Sequence, residues 1–219
     1  MQKEKYRSTE KDAYKYIAPV YSWLEKIVFG RALSRSRRYG LDKVRDGSKV
    51  LILGGGSGEV LKYLSDCEID YVENSESMIF RTSRKVEDQI VHFHHLPFSE
   101  YRSSIQYDHI ICQYFMDIFE EEELLEIMGH IGQLSAEHTK LHLADFRITA
   151  RGSGVWWQKP LVKLMYFFFR ITTGLKTREL PSIEEIMKRS GYAEMEGRSW
   201  MNGLVFASVW SRRANSSDP

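Results

Sequence analysis

The sequence runs to 219 residues with 42 % hydrophobic and 28 % charged side chains and a formal net charge of +1. Those values suit a folded chain with one sizeable core and exclude the disordered, collagen-like and transmembrane classes. Near-neutral charge leaves no global field to recruit nucleic acid, and the two cysteines, Cys67 and Cys112, form neither a disulfide framework nor a zinc ligand set, which points to a reducing, cytoplasmic setting.

Met1–Tyr16 holds no apolar core of the secretory kind, and no window reaches eighteen uncharged apolar residues, so the chain reads as soluble or at most peripheral. Tyr6–Tyr39 reads as helix with a break near Ala18-Pro19, so an N-terminal helical cap is expected over residues 1–46. The basic run Arg31, Arg35, Arg37, Arg38, Lys43 and Arg45 reads as a solvated helix face; its functional counterpart is contact with anionic lipid headgroups.

From Lys49 an alternation begins. Apolar runs at Lys49–Leu53, Ile69–Val72, Gln89–Phe93, Tyr107–Cys112 and Lys140–Ala144 are separated by helical stretches at Glu59–Leu64, Met78–Val86 and Glu121–Leu134. Runs such as Val50-Leu51-Ile52-Leu53 are apolar without alternation, as in strands buried on both faces, so a doubly wound, mostly parallel sheet is predicted over residues 47–146. The aromatic stretch Ser153–Gly174 interrupts this rhythm. It contains Trp156-Trp157 and Tyr166-Phe167-Phe168-Phe169, spaced by Lys159, Lys163 and Arg170, and it reads as a hydrophobic lid within residues 150–180, a dimer face or plain core. A helix from Pro181-Ser182 to Gly191 and two strands, Ala193–Trp200 and Leu204–Ser211, follow; Asn202-Gly203 marks the turn between the strands. Residues 212–219 read as a tail.

The chemistry is concentrated at Leu53-Gly54-Gly55-Gly56-Ser57-Gly58, a glycine-rich turn between a buried strand and a helix. Glycines let the backbone turn sharply where open α/β sheets bind nucleotides. Fifteen residues past Gly58, Glu73 ends the second strand, where a carboxylate can accept from both ribose hydroxyls. Loop and acid together describe an adenosine site. The dinucleotide pattern G-x-G-x-x-G fails, since Glu59 or Leu61 stands at its third glycine, and no Gly-Lys-Ser/Thr phosphate loop follows. His92 and His94 share a strand face, but no cysteine or carboxylate pair completes a ligand set, so no metal is expected.

Leu53–Gly58 with Glu73 resembles the first two motifs of the class I S-adenosylmethionine-dependent methyltransferases, and the two terminal strands match that family's sheet. Tyr16–Leu24 with Phe29-Gly30, His95-Leu96-Pro97-Phe98, Tyr107–Ile111 and Ser182–Tyr192 extend the likeness to the ubiquinone/menaquinone-biosynthesis type of small-molecule methyltransferase. The resemblance implies one Rossmann-like domain with a seven-stranded sheet and an antiparallel C-terminal hairpin. It also implies S-adenosylmethionine held by Leu53, Gly54, Gly55, Gly56, Ser57, Gly58, Glu73, Asn74, Met78, His92 and Gln113. Tyr21, Tyr114 and Asp117 are the candidates to orient or deprotonate a small hydrophobic or aromatic acceptor. Ile52 stands where the family usually has an acid, which raises the alternative of a nucleoside-binding module without turnover; the triple glycine also resembles the loop of aminopropyltransferases. No nucleic-acid partner is expected, and a homodimer is one reading of the aromatic stretch.

Overall fold

The computed structural model describes residues 29–86, 89–148, 156–163 and 180–213. Seven strands form one sheet: β1 (Lys49–Leu53), β2 (Glu68–Glu73), β3 (Ile90–His95), β4 (Tyr107–Gln113), β5 (Ser135–Phe146), β6 (Tyr192–Trp200) and β7 (Val205–Arg212), in the order β3-β2-β1-β4-β5-β7-β6. The first five are parallel; β7 runs antiparallel to both β5 and β6. The expected doubly wound sheet with its antiparallel hairpin is thus borne out. The hairpin turns at Met201, Asn202 and Gly203, all at positive φ (55°, 54° and 91°), so the Asn-Gly signal marked the place where left-handed backbone is required.

The apolar runs are strands because both of their faces are covered. Leu51 and Leu53 point to one face with Val72, Ile110, Leu141 and Phe206, under the apolar stripe Leu124, Ile127, Met128, Ile131 and Leu134 of helix α3 (Glu121–Leu134). Ile183, Ile186 and Met187 of helix α4 (Ile183–Arg189) join that layer. Val50 and Ile52 point to the other face with Ile69, Tyr71 and Ile111, under Leu41, Val60 and Leu61. Burying one such side chain is worth about 1.5–3 kcal/mol, so a one-residue slip of β1, which would exchange its two faces, is strongly opposed.

Two short helices flank the site. Helix α1 (Ala32–Arg38) lays Ala32 and Leu33 on a third cluster with Phe29, Phe146, Leu204 and Val205. Helix α2 (Glu76–Ser83) is capped by Ser75, whose Oγ accepts from the Met78 N–H at 3.4 Å.

Two expectations change. The helix expected at Glu59–Leu64 is a 3-10 turn, Glu59–Tyr63, because the chain must go extended at Leu64 and pass through Asp66 at φ 46° to enter β2 at Glu68. β5 is longer than the apolar run at both ends, starting at Ser135 directly after α3 and ending at Phe146.

Candidate functional site

The strand order reverses between β1 and β4, since β2 and β3 lie on one side and β5 on the other. Such a switch point opens a crevice beyond the carboxyl ends of the strands. The glycine loop after β1, Glu73 at the end of β2, and Gln113 at the end of β4 with Tyr114 after it all meet there.

The loop is held by its neighbours. The Gly56 N–H donates to Glu73 Oε2 at 2.9 Å and the Ser75 N–H to Glu73 Oε1 at 2.8 Å. From beneath, the Tyr71 hydroxyl and Thr82 Oγ1 both donate to the Gly56 carbonyl at 3.0 Å. A Cβ on Gly54 would strike the Phe115 ring, one on Gly55 the Tyr71 ring, and one on Gly58 the Thr82 side chain. At those three positions glycine is demanded by packing. At Gly56 (φ 56°) a Cβ would meet only the Gly54 carbonyl, at 3.9 Å, so there the loop's outer face is open to a ligand.

These residues fit the nucleoside half of S-adenosylmethionine. A carboxylate offers about four lone-pair directions, so Glu73 can hold two amides and also accept from ribose hydroxyls. Asn74 is exposed beside it, and Met78 is half-buried in the first turn of α2. Leu53 is 0 % exposed and its side chain belongs to the core, so only its backbone can face the crevice, and the Ser57 carbonyl accepts from Lys85 Nζ at 2.9 Å. Ile52 is 1 % exposed and lies in the apolar layer with Tyr71, so β1 presents no carboxylate to the ligand's amino-acid end.

His92 lies apart from this group. In the β2–β3 register it faces Asp70, three residues short of the Glu73–His95 pair, and its Nε2 is 3.7 Å from Glu68 Oε1 on an exposed face. The neighbour on its face, His94, bonds Asp70 Oδ1 at 2.5 Å, while the Tyr107 hydroxyl donates to Asp70 Oδ2 at 2.6 Å. Burial would raise the Asp70 carboxyl, but those two bonds hold it below its ordinary range. His95, not His92, stands beside Asn74, with Nε2 3.2 Å from the Asn74 carbonyl.

On the other side of the crevice, Tyr114 is a non-glycine residue at φ 53°, a conformation that persists only when neighbours enforce it. Its N–H donates to the Ala144 carbonyl at 2.7 Å, its hydroxyl lies 2.5 Å from Ser36 Oγ, its ring packs on Phe146 at 5.0 Å, and the Arg37 guanidinium sits over it at 5.0 Å. Gln113 Nε2 donates to the Arg37 carbonyl at 2.7 Å, so α1 grips this loop twice. Asp117 packs against a residue the sequence reading passed over, Asp145 at the end of β5. Burial raises the Asp117 carboxyl to about 6, although its hydrogen bond with Asp145 pulls it down; burial and the Asp117 charge hold Asp145 well above its ordinary value. The available signal was a charge inside the apolar run Leu141–Phe146. Tyr21 lies outside the described residues, as do residues 153–155 and 164–174 of the aromatic stretch. Within the described part, Val162 is buried, Trp157 and Leu161 pack against the cluster that includes Phe146 and Tyr114, and Trp156 is 80 % exposed.

An open depression of about 750 Å³ lies at the opposite, amino-terminal ends of the central strands, by Asp42, Arg45, Asp108, His138 and Lys140. Its charges are mixed and it is remote from the switch point. Among the described residues no group of three His, Cys, Asp or Glu side chains could hold a metal, and no helix is long and apolar enough to cross a membrane.

No sequence-family model and no curated protein matches the chain. Solved structures do. Magnesium protoporphyrin IX methyltransferase (ChlM) from Synechocystis, with bound S-adenosylhomocysteine, superposes with a TM-score of 0.62 over 93 % of this chain and 100 % of its own, at 14 % identity. An S-adenosylmethionine-dependent methyltransferase from Clostridium acetobutylicum superposes with a TM-score of 0.63 over 92 % and 99 %, at 9 % identity. The chain has the class I methyltransferase fold. A protein described as a pericyclic reaction enzyme shares it too, with a TM-score of 0.62 over 94 % of this chain and 56 % of its own at 13 % identity, so the fold alone does not fix the reaction.

Proposed function

We propose that this chain binds S-adenosylmethionine and transfers its methyl group to a small hydrophobic or aromatic acceptor, releasing S-adenosylhomocysteine. The observation that carries this reading is Glu73 bound to the Gly56 N–H at the switch point of a class I methyltransferase fold. Glu73 would take the ribose, Asn74 and Met78 the adenine side, and Leu53–Gly58 the body of the ligand. Gln113 and Tyr114 would line the side from which the acceptor enters.

When bound, S-adenosylmethionine supplies a methyl group already activated on a sulfonium. What remains for the chain is alignment and exclusion of water, which can contribute several orders of magnitude without a dedicated acid or base. The Ser36, Arg37 and Phe146 contacts that lock Tyr114 suit that task. Apolar surroundings favour a hydrophobic acceptor: Tyr114, Phe146, Trp157, Leu161 and Trp200 belong to one cluster beside the crevice. The finer likeness to the ubiquinone/menaquinone-biosynthesis type and a cytoplasmic location are part of the same proposal. Ile52 favours a second reading, a nucleoside-binding module without turnover.

Incubation with S-adenosylmethionine and a panel of hydrophobic phenols, amines and carboxylic acids separates the two. Release of S-adenosylhomocysteine with at least one acceptor supports the enzyme; cofactor binding with release never above the protein-free background supports the module. In the same assay, Trp156→Ala with Trp157→Ala is expected to raise the acceptor KM by roughly tenfold while leaving S-adenosylhomocysteine affinity within about threefold, an effect of the size expected for losing a large apolar contact. Loss of folding in the double variant, or an unchanged KM, would make the segment structural.

A further inference from the structure

Asp145 ends β5 with a carboxylate that is 0 % exposed. Its Oδ2 accepts from the Met116 N–H at 3.1 Å and the Asp117 N–H at 3.3 Å, and its Oδ1 from the Phe146 N–H at 2.9 Å. The Asp117 carboxyl lies close enough to act on the same group. Met116 opens the 3-10 turn Met116–Ile118, two residues after the left-handed Tyr114. The chain after β4 is therefore folded around one buried carboxyl.

We infer that Asp145 is a positioning residue, the anchor that shapes the segment carrying Tyr114 and Asp117 and so the wall of the crevice beyond β4. The inference rests on the methyl-transfer reading only in taking that wall as the acceptor's side. An unaccompanied buried carboxylate is costly, and here backbone N–H groups and a second carboxyl surround it in place of water. Asparagine is a poor substitute: it offers one oxygen where Asp145 uses two, and its NH2 group would face one of the three amides.

The anchor is also sensitive to pH. Two carboxyls in contact need a proton between them, and burial raises both. The Asp145 charge acts in turn on Cys112 of β4, whose thiol burial first and that charge second push upward, so it stays a neutral neighbour. As pH rises the pair gives up its protons in turn, Asp117 near 6 and Asp145 after it, and once the last, shared proton is gone repulsion between two buried charges works against the turn.

Amide hydrogen exchange, resolved by residue on the full chain, tests this. In Asp145→Ala, protection at Met116 and Asp117 is expected to fall by about tenfold or more, while Gly56 and Ser75, held by Glu73, stay within about threefold. In the unmodified chain, protection at the same two amides, corrected for intrinsic rates, is expected to fall about threefold or more as the pH is raised from about 5 to about 9, and Asp145→Asn is expected to lose that dependence. Unchanged protection at Met116 and Asp117, equal loss at Gly56 and Ser75, or the same pH dependence in Asp145→Asn would each overturn the inference. If Asp145→Ala does not fold, the pH comparison between the unmodified chain and Asp145→Asn decides. Binding of S-adenosylhomocysteine to the unmodified chain, measured on the same samples, judges the functional reading separately.

Discussion

Replacing Glu73 with alanine is expected to weaken S-adenosylhomocysteine binding by about 1.5–3 kcal/mol, roughly ten- to 150-fold, the range for removing a charged hydrogen-bond acceptor. The structure adds a second consequence. Glu73 holds the Gly56 and Ser75 N–H groups, so the substitution releases the glycine loop and the entry to α2 at once. A stability loss of about 1–3 kcal/mol should accompany the weaker binding, because two backbone donors lose their acceptor. Glu73→Gln keeps one acceptor oxygen at nearly the same reach and should fall between the two. Calorimetry with denaturant unfolding on the same samples reads both effects. A folded Glu73→Ala that binds as tightly as the parent would place the ribose elsewhere.

The second large effect lies far from the crevice. His109 Nδ1 and His142 Nε2 are 2.9 Å apart, and both rings are buried, at 7 % and 1 % exposure. His142 Nδ1 has no hydrogen-bond partner among the described residues. The pair is therefore best arranged with His142 Nε2–H donating to His109 and its Nδ1 left as a bare acceptor, which strands no N–H. Burial lowers His109 to about 4 and His142 to about 3. Both are neutral in the folded chain while the unfolded chain titrates near 6.5, so stability is full above that pH and falls as the pH drops toward 4. Each imidazole contributes about 1.4 kcal/mol per pH unit over that window. The Asp117–Asp145 pair works in the opposite sense, because its raised carboxyls bind protons in the folded state first. The contribution of the histidines is therefore read as a difference. The unfolding free energy of the chain minus that of His109→Gln with His142→Gln should fall with a slope of up to about 2.7 kcal/mol per pH unit between pH 6.5 and 4. A flat difference would mean that the rings are hydrated or already charged.

Much of the fold was legible because its signals are local. β1 and β4 are continuous apolar runs, as strands covered on both faces must be, and α3 carries a strict apolar stripe behind an acidic first turn, with the Glu120 N–H donating to Glu123 Oε2 at 3.1 Å. The expected bounds of α3 match the structure residue for residue. What escaped reading depends on partners distant in sequence. The first residues of β5, Ser135–Thr139, are polar and look like loop; only pairing with β4 makes Ser135 part of the sheet. The turn after Gly58 has helical composition, but the short path back to β2 leaves no room for an α-helix. His92 came from the family resemblance alone, whereas strand register decides its position, and that register follows from Val91 and Phe93 packing toward Tyr71. The glycine loop was legible as a loop. Which glycines serve packing and which serve a ligand was not, because Phe115, Tyr71 and Thr82 come from three different parts of the chain.

On the proposed reading, the switch point accepts an adenosine thioether rather than a dinucleotide. The loop lacks the third dinucleotide glycine, and a 3-10 turn stands where a pyrophosphate would need the N-terminus of a longer helix. Titrating the full chain in a calorimeter with S-adenosylhomocysteine and, separately, with NAD tests this most directly. S-adenosylhomocysteine is expected to bind about tenfold tighter or more. Equal or tighter binding of NAD would contradict it.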